Sequence, residues 1–196
     1  MGRSGMSSRQ MEKNSQMKIK RKNNNNNLVM SNQNIFDAIQ ERINSKQLGS
    51  TVIVPHCCNN NDIFSGVFAK EINDRYPIVE GNFHMYSQVS ALGKTQFVPV
   101  DTNKEYGHRI FFANMICQDR IDTNRKSRAL NYAALCFCMS SVKYHFKELL
   151  ISDSEINKVE IHAPKFGVGS AGGDWRIIQK LIEDSWKGIN TFIYNR

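Results

Sequence analysis

The sequence predicts an α/β fold: a three-layer α/β/α sandwich around a central mixed sheet of about six strands. Three observations predict it. Short β-branched or apolar runs alternate with stretches of helical periodicity, which puts helices on both faces of a sheet. Gln96 to Val100 and Arg109 to Ile116 are apolar runs joined by the short polar stretch Asp101 to His108, as in a hairpin, so the sheet is mixed rather than wholly parallel. A 40% hydrophobic content with two Trp, six Tyr and eleven Phe in 196 residues supplies one domain core and not two.

In chain order, residues 1–31 come first: Ser-, Asn-, Gln- and Lys-rich, with the run Asn23 to Asn27. They hold too little apolar surface to offset the entropy of ordering, so a disordered tail is expected there and a domain over 32–196. Within it, Lys18-Ile19-Lys20-Arg21-Lys22 reads as a solvated charge run rather than an import signal. Beyond an opening strand, Ile35, Phe36, Ile39 and Ile43 recur at helical spacing up to Gly49. Thr51 to Pro55 is a β-branched run of the kind buried on both faces, and Gly66 to Tyr76 reads as a helix. After the hairpin, the longest helical pattern spans Ser127 to Leu150, with Leu130, Ala133, Ala134, Phe137 and Val142 expected toward the core. A strand from Lys158 to Ala163, a glycine-dense loop from Pro164 to Gly173, a helix from Asp174 to about Trp186 and a strand from Thr191 to Tyr194 complete the chain.

The net charge of +8 points to nucleic acid until its distribution is read. Residues 1–31 carry seven basic side chains against Glu12 alone, which leaves only +2 for the folded part. Groove binding needs clustered Lys and Arg, so a nucleic-acid role for the domain is not expected and a tail-driven one is the weaker alternative. Five cysteines lie in apolar runs without zinc-type spacing, so reduced core thiols and no metal are expected. No apolar stretch reaches the ~18 residues of a membrane span and no signal sequence opens the chain. The expectation is a cytoplasmic, possibly nuclear, monomer without membrane contact or cofactor.

Two strand-to-helix loops carry the chemistry. The first, His56-Cys-Cys-Asn59 through Ser65-Gly66-Val67-Phe68, puts Gly66 at a helix entrance, where free N–H groups and the helix dipole attract phosphate without a lysine. Turns of this kind also use Gly and Asn for purely steric reasons. The second holds Gly167, Gly169, Gly172 and Gly173 between a strand and a helix, more than a turn requires and enough for a nest of N–H donors. Asp174 is expected to cap the following helix, and Trp175 to enter the core rather than stack on a ligand. Neither loop is a dinucleotide fingerprint or a P-loop. Two such loops at carboxyl ends of strands stand where open α/β sheets bind ligands.

At Asn34-Ile-Phe36, His56-Cys-Cys-Asn59, Phe64-Ser-Gly-Val-Phe-Ala69, Arg75-Tyr-Pro77, Leu92-Gly-Lys-Thr-Gln-Phe97, Ala113-Asn-Met115 and Phe166 to Trp175 the chain resembles the macro domains, over roughly 34–195. The resemblance is to the compact branch with the yeast-type ADP-ribose 1''-phosphate phosphatase, phage homologues and the terminal ADP-ribose glycohydrolase. It implies an ADP-ribose ligand, or a phosphorylated or acylated derivative, free or on protein. It implies Asn34 and Ile35 at the adenine, with Tyr194 and Asn195 beside it. Ser65, Gly66, Val67 and Phe68 would flank the diphosphate from one side and Gly167, Val168, Gly169, Ser170, Ala171, Gly172 and Gly173 from the other, with Asn59 near the distal ribose.

The same resemblance divides the chemistry. Where the glycohydrolase has its attacking Lys and assisting Asp, this chain has Ala91 and Ala171, which argues against that mechanism. His56 matches a His implicated in catalysis in the phosphatase branch; an imidazole there serves as general acid or base, or donates a hydrogen bond to phosphate. The resemblance leaves the acidic partner of His56 unplaced, Glu105 being nearest in sequence to the region where it is expected. A phosphatase-like hydrolase is the favoured expectation, with His56 and Asn59 catalytic, and a non-catalytic reader of ADP-ribose or ADP-ribosylated protein is the alternative.

Overall fold

A computed structural model of the chain describes residues 27–45, 49–87, 91–100, 105–119, 128–152 and 158–195. Among them a six-stranded sheet carries five helices, as the sequence predicts. In chain order the elements are β1 (Leu28–Ser31), α1 (Ile35–Ile43), β2 (Ser50–Asn59), α2 (Val67–Arg75), α3 (Pro77–Ser87), β3 (Thr95–Val100), β4 (Arg109–Gln118), α4 (Tyr132–Ser152), β5 (Lys158–Pro164), α5 (Trp175–Ser185) and β6 (Thr191–Tyr194). Across the sheet the order is β1-β6-β5-β2-β4-β3, with only the β3–β4 hairpin antiparallel.

Alternation along β4 builds the two outer layers. Ala113, Met115 and Cys117 enter the core under α4 and α5, whereas Ile110 and Phe112 enter the core under α1, α2 and α3. This period of two is what a strand covered on both faces must show, with both sets apolar.

The tail expected over 1–31 gives up its last four residues. Leu28 to Ser31 form β1, paired in parallel with Thr191 to Tyr194, because Leu28, Val29 and Met30 are an apolar run at the end of the Asn tract. The expected disorder over 1–26 lies outside the described residues.

Helix α3 is an addition to the sequence reading. Tyr76 leaves the helical region (φ −137°, ψ 66°), as the residue before a proline tends to, and Pro77 then opens the helix at the position where its missing N–H is harmless. Val79 and Phe83 anchor it, fully buried one turn apart.

Helix α4 starts later than expected and is turned. Asn131 caps it, with Oδ1 accepting from Ala134 N at 3.0 Å. Its buried stripe is Ala134, Leu135, Cys138, Met139 and Val142. Ala133 and Phe137 point outward instead, Phe137 being 68% exposed over Gly93. The stripe one position on holds more apolar volume once Cys138 and Met139 are counted as core.

Candidate functional site

The sheet opens where its connections part. β2 pairs with β5 only from Ser50 to Ile53, after which β5 follows β6 and β2 follows β4. Pro55, which offers no N–H, lies just past this point, where β2 has one neighbour left to pair. The chain leaves β2 toward β3 and β4 on one side and leaves β5 toward β6 on the other, which makes the β2/β5 carboxyl ends a topological switch point.

A cavity of about 400 Å³ occupies this crevice. Ser65, Gly66, Val67 and Phe68 wall one side and Gly167, Val168, Gly169 and Ser170 the other, so the two sequence-predicted loops face each other. Gly66 has φ 108°, in the range that favours glycine, and it starts α2 with no side-chain cap on the helix N–H groups. Opposite, Gly167 and Gly169 have φ 74° and 68°. A Cβ on Gly169 would meet nothing within 4 Å, whereas one on Gly173 would run into the Gly167 carbonyl and stand 2.5 Å from Leu130.

The end of the second loop holds the turn together rather than walling the cavity. Gly172 N donates to Gly169 O at 3.1 Å and Gly173 N to Gly167 O at 2.9 Å, so these N–H groups are turned inward. Ala171 is buried beneath the loop, and its carbonyl accepts from Leu130 N at 2.9 Å. Asp174 caps α5 as expected, its Oδ1 accepting from Arg176 N at 2.9 Å. Trp175 packs partly into the core while its ring also carries Lys165 Nζ at 5.0 Å.

Two smaller cavities extend the crevice. One of about 190 Å³ lies between Asn34 and Ile35 on one side and Pro164, Tyr194 and Asn195 on the other, the residues expected at adenine. Asn34 Oδ1 caps α1, accepting from Phe36 N at 2.8 Å. The Tyr194 hydroxyl is engaged by the buried His162. Glu160, a buried carboxylate bridging Arg42 (2.9 Å) and Lys158 (2.8 Å), accepts from His162 Nε2, and His162 Nδ1 accepts from the Tyr194 hydroxyl at 2.7 Å. Burial alone would raise the Glu160 carboxyl, but the bonds from His162 and Lys158 and the charges of Arg42 and Lys158 hold it at about 2. Burial, the largest influence on Tyr194, pushes its phenol up to about 12.

The other cavity, about 280 Å³, continues past the first loop and is walled by His56, Asn59, Ile63, Phe64, Gln118 and Ala129 among others. Asn59 stands there, but its amide is engaged in the loop: Oδ1 accepts from Asn61 N (2.9 Å) and Ile63 N (3.3 Å), and Nδ2 donates to Ile63 O. In the free protein its amide holds the turn.

His56 is 4% exposed, between the edges of Phe64 and Phe68. Gln96 Nε2 donates to the Asn82 carbonyl and Asn114 Nδ2 to Gln96 Oε1, each at 2.8 Å, which fixes both amides. Asn114 Oδ1 is therefore an acceptor, and His56 Nε2–H donates to it at 2.6 Å. Cys58 Sγ lies 3.6 Å from Nδ1. Burial, the largest influence, lowers the imidazole to about 4 despite the Asn114 bond, which favours the neutral ring at neutral pH.

Asn114 takes the place expected for Glu105. β4 runs parallel to β2, so the 105–107 turn feeds the start of β4 beside Thr51, and His56 lies five residues, about 16 Å, further along the strands. The sequence signal for Asn114 was a polar residue inside the apolar run of β4.

A mixed sheet with helices on both faces and a crevice between two glycine loops at its switch point is the architecture of the macrodomains, and the chain has that fold. A solved protein of unknown function from Bacteroides thetaiotaomicron superposes with a TM-score of 0.67 at 22% identity, over 86% of this chain and 98% of that one. A macrodomain protein from Streptomyces coelicolor gives 0.61 at 21% identity, over 86% and 99%. DarTG from Thermosipho africanus, solved in complex with ADP-ribose, gives 0.58 at 15% identity, over 79% of this chain and 39% of its own. No protein-family model and no curated protein matches the chain. Among the described residues no group of His, Cys, Asp or Glu is placed to hold a metal ion, and no helix is long and apolar enough to cross a membrane.

Proposed function

We infer that this chain binds ADP-ribose, free or attached to protein, in the crevice between β2 and β5. The observation that carries the reading is the pair of backbone arrays across the 400 Å³ cavity: the uncapped N-terminus of α2 and the left-handed glycines of loop 167–170. Backbone N–H groups at a helix start and in a nest are donors for a diphosphate. The space beside Asn34, Ile35 and Tyr194 suits a base, and the enclosed space beyond the first loop suits the second ribose. Isothermal titration with ADP-ribose is expected to give micromolar binding, and absence of heat and of any thermal shift removes the reading.

A hydrolytic reading, acting on ADP-ribose 1''-phosphate or a related distal-ribose derivative, has one observation in its favour: His56 walls the distal cavity. The imidazole is held by Asn114 at Nε2 and faces Cys58 at Nδ1, so in the free protein both ring nitrogens are engaged within the fold. Binding without chemistry is therefore the better-supported reading. Phosphate release from ADP-ribose 1''-phosphate decides between them: turnover that falls about 10²-fold in His56→Ala, with ADP-ribose affinity kept, makes the chain a hydrolase, and binding without turnover makes it a reader.

A further inference from the structure

The backbone arrays supply partial charges only, whereas a diphosphate brings two full negative charges into the crevice. Lys165 is the one lysine or arginine among the described residues walling the 400 Å³ cavity. Its main chain is fixed, with N donating to Tyr194 O at 3.1 Å at the end of the sheet. Its ammonium rests over the Trp175 ring at 5.0 Å, and among the described residues it has no carboxylate partner. Trp175 is held in turn by the core and by its place at the start of α5, so the indole is a fixed rest for a cation at the cavity wall. Two neighbouring cations are held elsewhere: Arg176 by Asp174, and Arg128 by the Leu130 carbonyl and the Tyr132 ring.

We propose that Lys165 is a diphosphate-binding residue, parked on Trp175 in the free protein and delivered from it to the ligand's phosphate oxygens. The proposal rests on the ADP-ribose reading and adds to it the source of the charge that backbone groups do not provide. It distinguishes this site from one built of backbone donors alone, because a full cation makes binding sensitive to ionic strength.

The test is isothermal titration of ADP-ribose into the full chain, Lys165→Gln and Lys165→Arg at two ionic strengths, with thermal unfolding of each free protein as the control for folding. Lys165→Gln is expected to weaken binding about tenfold at low salt, the loss of one charge-assisted hydrogen bond. Added salt should then weaken the wild type more than this variant, and Lys165→Arg should keep most of the affinity. A Gln variant with wild-type affinity and an unchanged salt response overturns the proposal while leaving ADP-ribose binding in place. A wild type that binds no ADP-ribose overturns the functional reading and this proposal with it.

Discussion

His56 illustrates how a residue's neighbours decide its chemistry. Its identity and its place at a strand end were legible in the sequence, but its protonation was not, because that depends on Asn114, Phe64, Phe68 and Cys58, which only folding brings together. An imidazole lowered from 6.5 to about 4 has a definite consequence for stability. The unfolded chain takes up a proton below pH 6.5 while the folded protein resists until pH 4, so this contribution is full above 6.5 and is lost as pH falls toward 4. The shift corresponds to about 3 kcal/mol. His162, lowered by burial, works in the same direction. His56→Gln removes the titration and keeps an amide donor for Asn114. From pH 7 to pH 4 the unfolding free energy of the wild type, read from urea titrations, should fall relative to that of the variant by about that amount, and a constant difference would mean that the imidazole is solvated. Asn59 carries the same lesson: it walls the 280 Å³ cavity, but the hydrogen bonds that hold its amide to the loop are visible only in the fold.

At the scale of elements, strands and loops were more legible than helix faces. The strands announced themselves by β-branched runs and the loops by glycines, whereas α3 was hidden by Gly81 within a pattern of eleven residues. That glycine gives a direct check. It lies in the helix with open space around a would-be Cβ, and φ there is ordinary, so Gly81→Ala should raise stability by about 0.5–1 kcal/mol, read as a higher urea midpoint. The second loop divides its glycines between two tasks. Gly173→Ala should destabilise the fold, because its Cβ has no room beside Leu130 and the Gly167 carbonyl. Gly169→Glu faces open space, so it should leave a folded protein, at about 1–2 kcal/mol for the left-handed backbone, and abolish ADP-ribose binding by placing a carboxylate against the diphosphate. A folded Gly169→Glu variant with unchanged affinity would move the ligand to another loop.

For the whole molecule, the question is where the fold begins, and a four-residue edge strand after a polar tract is close to the limit of what a pattern can show. The first hydrogen bonds of the described structure come from this segment: Thr191 N donates to Asn27 O at 2.9 Å and Asn195 N to Ser31 O at 2.8 Å, with the β1–β6 ladder between them. β6 carries Tyr194, so β1 supports the strand that walls the 190 Å³ cavity. Two truncations therefore separate the tail from the fold. Removing residues 1–26 should leave the thermal midpoint and ADP-ribose affinity unchanged, and it takes away most of the positive charge, so any salt-sensitive nucleic-acid binding by the full chain should go with it. Removing 1–31 deletes β1 as well. It leaves several backbone groups of β6 unpaired at about 1 kcal/mol each, which for a domain of this size lowers the midpoint by roughly 5–15 °C. It should also weaken ADP-ribose by loosening Tyr194. Equal midpoints for the two truncations would show that β1 contributes nothing to the sheet, and nucleic-acid binding that survives loss of residues 1–26 at physiological salt would place a cationic surface on the domain itself.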